Sequence, residues 1–388
     1  MQKASLDKAK YYIGASYLVN ISPLFKASLF EFLNYDIEKF WASNEETLND
    51  FANSYPHISI PKKFLSQKSE INLDEKYEYI KNSNVNFITF EDEIYPEILK
   101  EIQDFPLLLY CRGKLNEEIF KNTIAVVGSR SATQEVKVVL ERIISEMKNT
   151  DITIVSGLAM GVDGISHETA LKNNLQTIGV IGSGHNYQYP STNKYLYEEM
   201  VKENLIISEF PPDIAPQSYY FPQRNRIVAG LSKGVIVAEA RIKSGAMISA
   251  NLALEQGREL MCIPGSLLNK NTEGIYKLLK SGATLITEAN DIFQALNMEF
   301  LSEKEPIQLT LEENLIYNAI SNEPKTIEEI ENEILKNISQ IKDKKTIIVH
   351  NRLDMCCPLQ GAWDLYRSLD NATIDIVPDI GHVGKKLK

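Results

Sequence analysis

The sequence has few features of a secreted, metal-binding or membrane protein. Its 388 residues include only four cysteines, Cys111, Cys262, Cys356 and Cys357, and their spacing matches no metal-binding motif. We therefore expect reduced thiols, with no metal site and no cofactor. No apolar run approaches the roughly 18–20 residues that a membrane-spanning helix requires, and the lysine-rich start lacks the apolar block of a signal peptide. These absences predict a cytoplasmic protein with no membrane partner.

A surplus of acidic residues limits the nucleic-acid binding that the composition supports. The formal net charge is −11, which argues against a broadly basic surface that coats duplex DNA. The segment from Ser218 to Gly245 differs, because it holds five Lys or Arg residues and one acidic residue, a local net charge of +4. A confined basic groove therefore remains compatible with the sequence.

From residue 123 onward, short apolar runs alternate with helical patterns. This alternation is typical of a parallel sheet covered by helices on both faces, and it predicts an α/β, doubly wound Rossmann-type domain. The predicted strands are Ile124–Val127, Ile152–Val155, Thr177–Ile181, Leu205–Ile207, Val235–Val237, Leu260–Ile263 and Thr284–Thr287. The predicted helices between them include Thr133–Met147, Met160–Lys172 and Met247–Gln256.

Small, flexible residues follow these strands at the edge where a doubly wound sheet binds its ligands. Gly128, Ser129 and Arg130 follow the first strand and combine a backbone that allows close approach with an arginine that pairs with phosphate oxygens. Ser156 and Gly157 follow the second strand. Further glycine turns follow the third and sixth strands, at Gly182–Gly184 and Gly265. One such turn is weak evidence, but several at one edge predict a phosphate-binding site.

An aromatic residue and two arginines begin another helical pattern. Phe221 is followed by Arg224, Asn225 and Arg226. Aromatic faces stack on unpaired bases while arginines hold the backbone of a single strand, so the motif favours single-stranded nucleic acid. The alternative is that Phe221 belongs to the core and that one of the arginines forms an internal salt bridge. The residues alone leave both open.

Motifs of nucleotide-dependent enzymes are missing. No G-x-G-x-x-G begins the helix after the first strand, and there is no P-loop. His167 lies in a helical stretch with Asp163 and Glu168. In a nucleotide hydrolase it would serve as a base, but a histidine in such a position more often packs or caps a helix.

These segments, in this order, resemble the DprA/Smf DNA-processing family. The resemblance implies an extended Rossmann domain that binds single-stranded DNA during natural transformation, dimerises through that domain and delivers RecA onto the strand. It places Gly128, Ser129 and Arg130 on phosphate and Phe221 against a base, and it sets Met160 where the family often has arginine. The residue patterns and the resemblance together predict a DNA site of Gly128, Ser129, Arg130, Ser156, Gly157, Phe221, Arg224, Asn225, Arg226, Lys243, Ser244 and Gly265, with no catalytic residue.

Four domains are expected along the chain. Residues 1–85 are similar to the small helical domain of the family, of the SAM or helix-hairpin-helix type, and residues 86–298 form the extended Rossmann domain. Residues 299–340 resemble the first two helices of a winged-helix domain, at Leu311–Ser321 and Thr326–Leu335. Residues 341–388, with strands at Thr346–Val349 and Thr373–Val377 around a helix at Leu359–Ser368, resemble the end of an α/β-hydrolase proline iminopeptidase.

The expected function is therefore binding and not catalysis. In the tail, Asp354 and His382 match the acid and base of a serine triad, but the chain has no G-x-S-x-G nucleophile motif. The leading hypothesis is a single-stranded-DNA-binding protein that protects incoming DNA and loads RecA as a homodimer. The alternative is a Rossmann-type nucleotide phosphoribohydrolase, which would require a glutamate near a G-G-x-G-T turn that Pro264-Gly265-Ser266 does not supply.

Overall fold

The computed structural model describes residues 6–299 and the backbone of two later segments, 346–351 and 372–377. The predicted helices at residues 311–321, 326–335 and 359–368, and the tail residues Asp354 and His382, lie outside the described residues. None of the described helices is long and apolar enough to span a bilayer.

The chain begins with six short helices. They are α1 Leu6–Ser16, α2 Pro23–Phe32, α3 Ile37–Ala42, α4 Glu45–Ser54, α5 Phe64–Glu70 and α6 Leu73–Lys81. Polar side chains cap α3, α4 and α6, as at Asn44, whose side chain accepts a hydrogen bond from the backbone N–H of Thr47 at 2.9 Å. The Phe25 ring meets Phe51 and Phe64 edge to face, with centroids 5.5 and 5.1 Å apart, so aromatic packing forms the centre of this region.

The remaining described elements up to residue 299 build an α/β unit. In chain order they are β1 Asn86–Thr89, α7 Glu97–Lys100, β2 Leu108–Gly113, β3 Thr123–Val127, α8 Gln134–Glu146, β4 Thr153–Ser156, α9 Val162–Lys172, β5 Gln176–Val180, α10 Lys194–Glu203, β6 Leu205–Ser208, α11 Tyr220–Gly230, β7 Gly234–Val237, α12 Gly245–Glu255, β8 Glu259–Cys262, α13 Glu273–Lys280, β9 Thr284–Leu285 and α14 Ala289–Ala295. Short 3₁₀ turns occur at Glu118–Phe120, Ser191–Asn193 and Lys270–Thr272.

Nine strands form one mostly parallel sheet in the order β1-β2-β6-β5-β4-β3-β7-β8-β9. The strands from β3 to β9 pair in parallel, with Ile124 opposite Ile154 on one side of β3 and opposite Gly234 on the other. Every residue of β3, β4, β6 and β7 is buried, as helices on both faces require. The doubly wound α/β prediction is confirmed, and all seven predicted strands are present.

The sheet has a switch point between β3 and β7. From β3 the chain builds outward through β4, β5 and β6, and it then returns to place β7 on the other side of β3. In a doubly wound sheet, ligands bind beyond the carboxyl ends of the strands at this position. The loops that follow β3 and β7 therefore lie where the fold favours a binding site.

The two antiparallel strands β1 and β2 were not predicted. β2 pairs with β1 on one side and with β6 on the other, where Tyr110 lies opposite Ser208. The hydroxyl groups of Tyr110 and Ser16 are 2.8 Å apart, which joins the sheet to the helical region. Residues Met1–Glu303 form one compact unit, so the expected boundary at residue 85 lies within it and the four-domain division remains a prediction.

A second compact unit, Lys304–Lys388, includes the tail. Its described backbone consists of two parallel strands, β10 Thr346–Asn351 and β11 Ala372–Val377, with Thr346 opposite Ala372. Both strands occur where the sequence predicted them.

Candidate nucleic-acid interface

The loop after β3 exposes the predicted phosphate residues at the switch point. Gly128 and Ser129 are half-buried and Arg130 is exposed. The Ser129 carbonyl accepts a hydrogen bond from the Val162 N–H at 3.1 Å, and its hydroxyl accepts one from the Ser131 N–H at 3.2 Å. The loop is therefore held at its base while the Arg130 side chain extends into solvent.

Gly161 allows this loop to pack closely against the start of α9. Its φ is +76°, and a Cβ at this position would lie 2.2 Å from the Ser129 carbonyl oxygen. Only glycine avoids both the unfavourable backbone conformation and this clash. Met160, directly before it, is 45% exposed beside the Arg130 loop. The sequence pattern gave no indication that Gly161 supports the predicted phosphate residues.

Phe221 lies beside Arg130, although the two residues belong to separate sequence motifs. The Arg130 guanidinium carbon is 5.8 Å from the centroid of the Phe221 ring, and none of the ion pairs among the described side chains involves Arg130. The Tyr189 ring packs on Phe221 from the loop after β5, with centroids 5.3 Å apart and planes tilted by 31°. Phe221 is half-buried, so the structure presents it at the surface and not in the core.

Arg224 lies below this surface and not on it. It is 4% exposed, and its Nη1 donates to the Gly157 carbonyl at 2.8 Å and to the Val180 carbonyl. Burial lowers the pKa of its guanidinium to about 10, against the opposing effect of Asp163. Asp163 accepts hydrogen bonds from the N–H groups of Gly157 at 3.1 Å and Ala159 at 3.4 Å. Arg224 therefore joins the ends of β4 and β5, which corrects the expectation of a phosphate contact.

Arg226 also lies in the interior. It is 3% exposed and bonds both carboxylate oxygens of Glu209, at 3.1 and 2.7 Å, while its Nε lies 3.2 Å from Asp104. Burial lowers its pKa, but the two carboxylates outweigh that effect and leave the pKa raised. The internal salt bridge, which the sequence left open for one of the two arginines, is formed by Arg226. Asn225, half-buried between them, accepts a hydrogen bond from Arg224 Nε at 3.2 Å.

The other predicted residues divide between surface and interior. Ser156 is buried and donates to the Val126 carbonyl at 2.6 Å, and Gly157 is buried over Arg224. The Ser156 hydroxyl is therefore already engaged, and Gly157 lies beneath the surface. Lys243 is exposed in the loop after β7, and the neighbouring Ser244 hydroxyl donates to the Arg241 carbonyl at 2.8 Å. The Gly265 carbonyl accepts a hydrogen bond from the Tyr276 hydroxyl, so this carbonyl already has a partner within the protein.

Two groups that a nucleotide hydrolase could have used are buried. His167 is fully buried, with Nδ1 2.7 Å from the Thr177 hydroxyl, and burial lowers its pKa to about 3. Glu239, at the end of β7, is fully buried and accepts hydrogen bonds from the Thr133 N–H and the Asn269 amide, both at 3.3 Å. In the described part of the chain, no group of three or more His, Cys, Asp or Glu side chains could hold a metal ion.

The fold and this edge define a Rossmann-like α/β protein whose sheet ends in an arginine and an aromatic residue at the switch point. Its sequence matches the family described as DNA recombination-mediator protein A over residues 86–297, and the chain belongs to that family. It is 40% identical over 226 residues to DNA processing protein DprA of Bacillus subtilis, covering 58% of this chain and 76% of that protein.

Other known proteins resemble parts of the chain. DNA processing protein DprA of Streptococcus pneumoniae is 42% identical over 201 residues, covering 52% of this chain and 71% of that protein. The X-ray structure of DprA from Streptococcus pneumoniae superposes with a TM-score of 0.63 at 34% identity, over 77% of this chain and all of that one. The C-terminal resemblance is also present, to a proline iminopeptidase of Xylella fastidiosa at 43% identity over 54 residues, 14% of this chain and 17% of that protein.

Proposed function

We propose that the protein binds single-stranded DNA along the edge where β5, β4, β3, β7 and β8 end. The observation that carries the proposal is the pairing of Arg130 with Phe221 at the switch point. Arg130 is exposed and takes part in none of the ion pairs of residues 6–299, so its charge is available to a ligand. An exposed guanidinium that contacts an accessible aromatic ring provides for both parts of a nucleotide, the phosphate and the base.

The edge also has the length that a strand of DNA requires. Neighbouring strands lie about 4.8 Å apart, so the carboxyl ends from β5 to β8 extend over roughly 19 Å. Phe221 and Arg130 occupy one part of this path, and exposed Lys243 lies further along it, after β7. We therefore name Gly128, Ser129, Arg130, Phe221 and Lys243 the edge site, and we leave Arg224 and Arg226 out of it.

Unpaired strands fit this site better than duplex DNA. A ring reaches the face of a base only where the base is not stacked within a helix. The net charge of −11 also disfavours extended contact with duplex phosphates.

Binding without catalysis is the activity that the described residues support. A general base must reach its substrate, and both His167 and Glu239 are buried, with His167 Nδ1 and the Glu239 carboxylate engaged in internal hydrogen bonds. This placement favours a binding protein over the phosphoribohydrolase alternative.

Membership of a family of recombination mediators supports the wider role. We infer that the protein protects incoming DNA during natural transformation, loads RecA onto the strand and acts as a homodimer in the cytoplasm. The buried free thiols of Cys111 and Cys262 agree with a reducing compartment. β9, the edge strand of the nine-stranded sheet, leaves Leu285 half exposed, where a second subunit could pack. Sedimentation velocity tests the dimer, and a shorter lag in RecA filament formation on the strand tests loading.

The direct experiment is a gel-shift titration of single- and double-stranded oligonucleotides across a salt series. Arg130→Ala should weaken binding to every single-stranded sequence and should reduce the slope of log K against log salt by about 0.7, the share of one phosphate. Lys148→Ala is the matched control. Lys148 is an exposed cation in the loop between α8 and β4, at the amino ends of the strands and therefore opposite the edge site.

The aromatic half of the site is tested in the same assay. Phe221→Ala should cost about 1–3 kcal/mol of single-strand affinity and leave the salt slope unchanged. Unaltered binding by a folded Arg130→Ala protein would refute the phosphate assignment. Normal binding by Phe221→Ala together with a large fall in thermal stability would make Phe221 a packing residue.

A further inference from the structure

Tyr189 forms an exposed extension of the Phe221 ring. It ends the loop that follows β5, directly before Pro190, and its side chain is 52% exposed although it packs on Phe221. Within residues 6–299 its hydroxyl makes no hydrogen bond. Tyr189 therefore contacts Phe221 with part of its ring and leaves about half of its surface in solvent.

A second aromatic pair in the same region shows the contrast. Phe210 and Tyr220 lie with their centroids 4.2 Å apart, and both are 2% exposed. Tyr220 immediately precedes Phe221, so the two pairs are connected through α11 and differ in environment. The Phe210–Tyr220 pair belongs to the core. The Tyr189–Phe221 pair lies at the surface, with Phe221 half-buried and Tyr189 exposed to solvent.

The loop that carries Tyr189 is held in place by hydrogen bonds. The Gly184 N–H donates to the Ile214 carbonyl at 2.8 Å, and the Asn186 N–H donates to the Pro212 carbonyl at 3.1 Å. After the loop, the Asn193 amide donates to the Leu158 and Ala159 carbonyls at 3.1 and 2.8 Å. The ring is therefore positioned before any ligand arrives, which reduces the entropy lost on binding.

We propose that Tyr189 is a second base-stacking residue, which contacts an unpaired base next to the one on Phe221. Arg130 then holds the phosphate of the same stretch of strand, because it lies 5.8 Å from the Phe221 ring. The ligand is an unpaired nucleotide of any sequence, since every base offers a π face. This inference rests on the proposed function and adds to it a residue that neither the sequence patterns nor the family resemblance assigned.

The test separates contacts with bases from contacts with phosphates. The full chain is titrated with an oligothymidylate and with an abasic strand of the same length, which keeps the phosphates and lacks the bases. Tyr189→Ala should weaken oligothymidylate binding by about tenfold and leave binding of the abasic strand unchanged. Tyr189→Phe, which keeps the ring, should bind both strands as the natural protein does.

Tyr195→Ala is the matched control. Tyr195 is 53% exposed, about as much as Tyr189, and its charged neighbours are Glu168 and Lys172 on α9. Its removal should leave both affinities unchanged, and the thermal midpoint of each variant confirms that it is folded.

A double-mutant cycle distinguishes a direct contact from an effect through Phe221. If Tyr189 stacks on a base of its own, the losses of binding free energy caused by Tyr189→Ala and by Phe221→Ala should add in the double variant. If Tyr189 only holds Phe221 in place, the second substitution adds nothing, and the proposal is overturned. Equal affinity of Tyr189→Ala and the natural protein for oligothymidylate would also overturn it, with the proposed function intact. Failure of the natural protein to bind either strand would overturn both.

Discussion

Arg130 and Arg224 lie close together at the same edge of the sheet, yet their environments are opposite. Arg130 is exposed and contacts an aromatic ring, whereas Arg224 is buried and donates to the Gly157 and Val180 carbonyls beside Asp163. The charge of Arg130 is one of the causes that lower the pKa of Arg224. The comparison shows that two arginines at one edge differ in what they can do: Arg130 is accessible to a ligand, whereas Arg224 supports the loops beneath it.

The difference follows from where α11 lies. Phe221 is in its first turn, at the surface, and Arg224 is one turn further in, under the ends of β4 and β5. Arg226 is two residues beyond Arg224, about 200° around the helix, and therefore points to the opposite side, toward Glu209 and Asp104. A buried guanidinium must find acceptors for its donors, so both interior arginines are used for structure.

The largest expected effect is the loss of the buried arginine. Arg224→Ala leaves two strand-end carbonyls without their donor and removes the positive charge that acts on buried Asp163, so it should lower the free energy of unfolding by about 3–5 kcal/mol. Arg130→Ala should change the same quantity by less than about 0.5 kcal/mol. Urea denaturation of both variants measures this, and equal stability of the two would refute the division between the arginines.

The next effect concerns the support of the Arg130 loop. Gly161→Ala should lower the free energy of unfolding by about 2–3 kcal/mol and also weaken single-strand binding, because the added methyl group would displace the Ser129 carbonyl. Gly257→Ala is the control, since Gly257 has a similar φ of +66° with nothing within 4 Å of the added Cβ. It should cost about 1–2 kcal/mol from the backbone alone and leave binding unchanged. Equal binding by both glycine variants would show that the loop does not need this support.

A smaller effect is expected from adding a cation to the surface. Met160 is exposed next to Gly161, so Met160→Arg should place a second guanidinium near Arg130. Single-strand affinity should rise and the salt slope should steepen by about 0.7. Leu254→Arg adds the same charge at the far end of α12, where the side chain is 54% exposed, and should leave the slope unchanged. Equal slopes for the two variants would place Met160 outside the path of the strand.

The smallest effect is expected from removing the tail. A chain that ends after Gln340 should bind single strands as the full chain does, because the edge site lies in the compact unit Met1–Glu303 and the tail belongs to another. The same gel-shift titration measures this. A loss of affinity on truncation, or turnover of proline anilides that disappears in His382→Ala, would show that the tail has a function of its own.

Prediction from sequence succeeded where a local pattern has one structural solution. Apolar runs such as Ile124–Val127 in alternation with helices are compatible with a parallel sheet and little else, and the structure has them as strands. Gly128 to Arg130 were placed at the ligand edge because a strand end and its loop are continuous in sequence. β1 and β2 were missed because they lie before residue 123, outside the strand–helix alternation on which the prediction rested. Tyr189 was missed because nothing local shows which residue its ring will meet.

The sequence by itself determined the doubly wound sheet, the edge at which sheets of this class bind their ligands and the presence there of an arginine and a phenylalanine. These follow from periodicity and from the bonding needs of the backbone, which are local. Only the tertiary structure decided which arginines are exposed, because burial depends on what packs over each residue. Arg130, Arg224 and Arg226 carry the same charge, and the loops, strand ends and carboxylates brought together by folding direct one of them to solvent and two to the interior.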